Sequence, residues 1–95
     1  MYTLMKSIKE LKNPDIIQVN GEKYQVTNQS PNWYHVDKKE LEVGIGLVKI
    51  GEKVLAPNYS LSYMNNKPNE LKFYKWDKNT KSNIEIRIKS LILPK

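Results

Sequence analysis

Asn20-Gly21 restricts the fold of this chain more than any other feature. A two-residue hairpin loop of type I′ needs positive φ at both central positions, and Asn-Gly adopts it at little cost. On either side, Asp15–Val19 and Glu22–Thr27 read as strands of a hairpin. The short loop pairs Ile17 with Tyr24 and sets Asp15 opposite Val26. Ile17, Val19, Tyr24 and Val26 then share a core face, while Gln18, Lys23 and Gln25 face outward.

Strand signals recur along the chain. Tyr2–Met5 reads as a short first strand. Ser7-Ile8-Lys9-Glu10 matches a capping box, which predicts one or two helical turns with Ile8 and Leu11 inward, stopped by Asn13-Pro14. Asn28–Asn32 is a loop, Trp33–Asp37 a strand, Lys38–Glu42 a charged connection and Leu47–Ile50 another strand. Gly51-Glu52 suits a tight type II′ turn into a strand at Lys53–Ala56. Tyr59, Leu61 and Tyr63 alternate with Ser60 and Ser62, the pattern of a half-buried strand. Asn65–Asn69 is a turn. Leu71 and Phe73 then point one way and Lys72, Tyr74 and Trp76 the other. Ile84, Ile86 and Ile88 alternate with Glu85, Arg87 and Lys89. Leu91-Ile92-Leu93 is expected to be covered on both faces. About six to eight short strands at close spacing predict a mainly β chain. The expected architecture is one antiparallel β-barrel over residues 1–95, SH3-like or related, with a sandwich as the alternative.

Leu11–Val26, with its Asp-Ile-Ile-x-Val-Asn-Gly-x-x-Tyr-x-Val run, resembles the entry into SH3-like small β-barrels. Translation elongation factor P and its archaeal and eukaryotic relatives begin this way. The resemblance covers less than a fifth of the chain and implies a barrel. Those factors continue into a glycine- and lysine-rich functional loop, whereas Asn28–Asn32 holds neither residue. No activity carries over.

Composition narrows the chemistry. Cysteine is absent and His35 is the single histidine, which removes disulfides, thiolate catalysis and Cys-based zinc sites. No cofactor is expected. His35 and Asp37 would share one side of a strand, but no nucleophile stands beside them in sequence. Glu40 and Glu42 are close carboxylates read as part of a solvated turn. Gly44-Ile45-Gly46 departs from G-x-G-x-x-G because position 49 is Lys49, and reads as a bulge or a flexible strand entry. An enzyme is not expected. Asn58-Tyr59-Ser60 matches a glycosylation sequon, yet no export signal or membrane span is visible, so a cytoplasmic protein is expected.

Charge gives the functional expectation. The net charge is +6, unevenly spread. Residues Met1–Asn66 hold eight Lys against seven Asp/Glu, whereas Lys67–Lys95 hold eight Lys/Arg against Glu70, Asp77 and Glu85. Such asymmetry suits nucleic acid or an acidic protein. Lys72, Tyr74 and Trp76 on one strand face, with Lys75, Lys78, Lys81, Arg87 and Lys89 around it, combine cations with flat rings on which bases stack. The expectation is a non-enzymatic domain binding single-stranded DNA or RNA through this hairpin. The alternative is a protein-interaction module using an exposed aromatic patch or strand edge. A small-ligand carrier would need a deep pocket. Two hairpin registers keep the core pattern. One sets Trp76 against Asn83 and Lys72 against Arg87. The other, with a two-residue Lys78-Asn79 turn, sets Lys72 against Glu85 and is expected because like charges then do not face each other.

Overall fold

In the computed structural model, which describes residues 2–3, 10–54 and 56–94, the Asn20-Gly21 hairpin forms as the sequence dictates. Strands β2 (Ile16–Val19) and β3 (Glu22–Val26) pair antiparallel with Ile17 opposite Tyr24. Asn20 and Gly21 both have positive φ, at 52° and 83°, as a type I′ turn requires. Ile17, Val19, Tyr24 and Val26 are all buried.

The other strands are β1 (Tyr2–Thr3), β4 (Trp33–His35), β5 (Glu40–Lys49), β6 (Tyr59–Met64), β7 (Lys67–Asp77), β8 (Ser82–Ile86) and β9 (Leu91–Ile92). They form one sheet in the order β1-β9-β2-β3-β5-β6-β7-β8, with β4 paired on β5. The sheet, antiparallel except where β1 runs parallel to β9, curls into a half-barrel. Among the described residues its end strands β1 and β8 do not pair with each other. The mainly β, barrel-like expectation therefore holds. Of the expected helical turn, Ser7–Lys9 lie outside the described residues. No helix among the described residues is long and apolar enough to cross a membrane.

The concave face holds the core. Tyr24 meets Tyr59 edge-on with centroids 4.9 Å apart and Phe73 at 5.2 Å, while Tyr59 and Phe73 stack at 5.6 Å. Such pairs add roughly 0.5–1.5 kcal/mol each beyond their buried area. Leu47, Leu61, Leu91 and Leu93 complete the packing, and Val43, Ile45, Leu71, Ile86 and Ile88 border it.

Several local expectations are corrected. Glu40–Glu42 open β5 instead of forming a connection, because the alternation of Leu41, Val43, Ile45 and Leu47 runs unbroken to Lys49. Gly51 has φ 97° and the Glu52 N–H donates to the Lys49 carbonyl at 3.2 Å. Glycine thus occupies the third turn position, and neither Lys53 nor Val54 joins a strand. The turn after β6 is only Asn65-Asn66, since β7 starts at Lys67. Ile92 is 49% exposed while Leu91 and Leu93 are buried, so the last strand is covered on one face only.

Gly44 and Gly46 sit mid-strand in unbroken register with Ser62 and Ser60. They form neither a bulge nor a strand entry. A Cβ on Gly44 would collide with the Pro31 carbonyl oxygen, and one on Gly46 would lie 2.9 Å from the Thr27 hydroxyl. Glycine is required because residues 27–32 cross the convex face here. That crossing also completes the backbone hydrogen bonding of β5 between its β3 and β4 pairings. The Thr27 N–H donates to the Gly46 carbonyl, the Gly46 N–H to the Gln29 carbonyl at 2.9 Å, and the Gly44 N–H to the Asn32 side chain at 3.1 Å.

Candidate functional site

The convex face of β5–β7 lies beneath that crossing segment, and its hairpin end carries the basic and aromatic residues. Strand alternation directs Phe73 into the core and Lys72, Tyr74 and Trp76 outward. The β7–β8 register sets Trp76 opposite Asn83, Tyr74 opposite Glu85 and Phe73 opposite Ile86. This overturns the expected Lys72–Glu85 pairing. Asp77 decides it: its carboxylate accepts from the Asn79 N–H at 3.0 Å and the Thr80 hydroxyl at 3.1 Å, and Lys81 takes φ 54°. An aspartate bonded to the backbone two residues on builds its own turn, which extends the loop through Lys81. Pairing then stops at Ile86, before Lys72 and Arg87 would face each other.

The structure divides the predicted residues into three groups. Trp76 is 44% exposed, and Lys75, Lys78 and Lys81 are exposed at the same hairpin end. None of these three lysines forms an ion pair among the described residues. Lys75 projects from the opposite face to Trp76 and holds its ammonium 5.9 Å from the Tyr59 ring centre. Tyr74 is half-buried, its ring 6.3 Å from that of Trp33. Lys72 is exposed beside it and acts electrostatically on Glu42. Arg87 and Lys89 lie past the far end of β8, against the first hairpin. There the Asn20 side chain donates to the Arg87 carbonyl at 2.9 Å and accepts from the Lys89 N–H at 2.6 Å. They are not part of the hairpin-end cluster.

Beneath Tyr74 lies a polar group that sequence reasoning missed. Glu42 is buried, accepts from the Ser62 hydroxyl at 2.6 Å and lies 2.8 Å from His35 Nε2. His35 thus meets Glu42 and not Asp37. Burial alone would push the Glu42 carboxyl up, but the Ser62 hydroxyl, then His35, then Lys72 hold it below its ordinary value. Burial first, and then Glu42 and Glu85, push the Tyr74 phenol up to about 12. These contacts anchor β4 and the base of the aromatic row, since His35 and Trp33 both belong to β4. The signal available in the sequence was the apolar alternation of 41–47, which places Glu42 on a strand face.

Trp76 stands between two hollows. One, of about 270 Å³, is flanked by Trp33 and Trp76 and edged by the amides of Gln29, Asn32, Asn58 and Asn83. The other, of about 430 Å³, is walled by Val54, Ile84, Lys75 and Lys78. Among the described residues no group of three potential ligands could hold a metal ion.

Fold and site together define a mainly β half-barrel with a cleft between Trp33 and Trp76, lined by Gln, Asn, Pro and Ser residues. No protein-family model, curated protein or solved structure matches the chain.

Proposed function

We propose that this chain is a non-enzymatic module for single-stranded nucleic acid, bound along the outer face and tip of the β7–β8 hairpin. One observation carries the reading: the Trp76 indole is exposed on the hairpin end that also carries exposed Lys78 and Lys81, with Lys75 on the other face of the strand, and among the described residues none of the three lysines forms an ion pair. Phosphates would meet these cations and Lys72, while a base stacks on the indole, an interaction that contributes roughly 1–3 kcal/mol per base. Tyr74 supports the site from below. Arg87 and Lys89 serve a longer strand only. The test is tryptophan fluorescence titrated with single-stranded RNA, single-stranded DNA and duplex at two salt concentrations. Single strands should quench the emission with an affinity that falls steeply as salt rises. No change with any of them at low salt overturns the proposal.

A second reading rests on the edge strand. Among the described residues β8 pairs only with β7, and Ile84 on it is 49% exposed. An extended segment of another protein could add to this edge through backbone hydrogen bonds. Association that barely responds to salt would favour that reading over nucleic acid.

A further inference from the structure

Trp76 borders two hollows of different chemistry. Lys75 and Lys78 help to wall the larger one. The smaller, of about 270 Å³ between Trp33 and Trp76, has no charged side chain among the described residues that line it. An ion entering it would give up hydration with no partner to replace the water. A neutral occupant fits better, and the volume, just under the roughly 300–1,000 Å³ of sites for drug-sized ligands, suits a single ring.

Small residues leave room for it. Gly46 and Ser60, cross-strand partners on β5 and β6, both belong to the lining. Trp33 is held against the sheet. Its ring comes within 3.3 Å of where a Cβ on Gly44 would stand and lies 6.3 Å from that of Tyr74. The backbone at Trp76 is fixed as well, since its N–H donates to the Asn58 carbonyl at 2.8 Å. Two flat apolar side chains are thus in place before a ligand arrives, which lowers the ordering cost of binding.

The polar groups come from separate segments. Gln29 and Asn32 belong to the crossing segment and Asn83 to β8. Among the described residues the Gln29 and Asn83 side chains have no hydrogen-bond partner. Asn32 accepts the Gly44 N–H at 3.1 Å through its side-chain oxygen, which leaves its amide nitrogen to donate. A nucleobase carries its polar groups along the edge away from its backbone. A sugar ring carries hydroxyls, each both donor and acceptor, around its whole rim. Its C–H faces lie well against the negative face of an indole. Small OB-fold barrels take oligosaccharides as well as oligonucleotides on their strand faces.

We infer that the cleft is a subsite for one neutral sugar ring of an oligosaccharide. The ring packs against Trp33 and Trp76, and its hydroxyls bond Gln29, Asn32 and Asn83. The lysines of the nucleic-acid reading lie outside this lining.

The two tryptophans of the full chain give two indole N–H resonances that report on the cleft in proton–nitrogen correlation spectra. The probes are linear hexamers of glucose, xylose, mannose and N-acetylglucosamine, and a single-stranded oligonucleotide, each at low and high salt. At least one sugar should shift both indoles, with an affinity indifferent to salt because the ligand is uncharged. Asn83→Ala, at an exposed position, should weaken that sugar about fivefold, the ratio for one hydrogen bond of ordinary net strength. Shifts of neither indole, or of only one, with every sugar at millimolar concentration overturn the subsite. An unchanged affinity in Asn83→Ala overturns it too. An oligonucleotide that moves both indoles where no sugar does gives the cleft to a base instead. Loss of the sugar subsite leaves the nucleic-acid reading standing, because that reading is decided by the oligonucleotide alone.

Discussion

The two faces of β6 show opposite ways of being buried. On the concave side Tyr59, Leu61 and Tyr63 pack against Phe73 and Tyr24 in an apolar, ring-rich core. On the convex side Ser60 and Ser62 are equally inaccessible, yet they lie under a crossing backbone segment and beside a carboxylate. One face gains from hydrophobic burial, which needs area and no direction. The other requires absent side chains at Gly44 and Gly46 and directed hydrogen bonds to Glu42. A small sheet can thus be covered on both sides while only one side reads as apolar.

Mutations should separate the faces in order of cost. Leu61→Ala on the concave side should destabilise by about 2–5 kcal/mol, because it opens a cavity in close packing. Urea denaturation measures this, and a loss below 1 kcal/mol would mean that the core is not shared across the sheet. Gly44→Ala should cost about 1–3 kcal/mol through overpacking against Pro31, although it adds apolar volume. An unchanged denaturation midpoint would show that residues 27–32 do not cross there.

Glu42→Gln comes next, at about 1–2 kcal/mol near neutral pH from weakened bonds to Ser62 and His35. Its pH dependence is the sharper probe. The folded chain holds the Glu42 carboxyl below its ordinary value. Its stabilising contribution is therefore present above the unfolded carboxylate value and fades as pH falls through the lower folded one. Melting temperatures from pH 7 downward should fall less steeply in the variant than in the wild type. Parallel curves would remove Glu42 as an anchor of the convex face. Trp76→Ala should change stability least, within about 0.5 kcal/mol, as expected for an exposed site. It should nevertheless weaken single-strand binding read by the anisotropy of a labelled oligonucleotide, which separates the binding surface from the scaffold beneath it.

Legibility in the sequence followed the same division. Asn20-Gly21 predicts its own turn, register and core face because all three depend on neighbours within a few residues. Asn20's hold on residues 87–90 could not be read, since nothing local links positions so far apart. The outward placement of Lys72, Tyr74 and Trp76 was legible from alternation alone. Glu42 was not: beside Lys38-Lys39 it reads as solvated, and only the cover supplied by β4 and β7 makes it buried. The β7–β8 register was misread from charge pairing, because the Asp77 turn is worth more than exposed ion pairs.

The local code by itself determined a two-residue period, hence strands, an inward apolar face and an outward row of rings and cations. Tertiary structure alone decided that the convex side would be roofed, that glycines would admit the roof, and that a cleft would form at its margin. The reason is physical. Alternation is a property of consecutive bonds, whereas a roof depends on where distant chain segments come to lie.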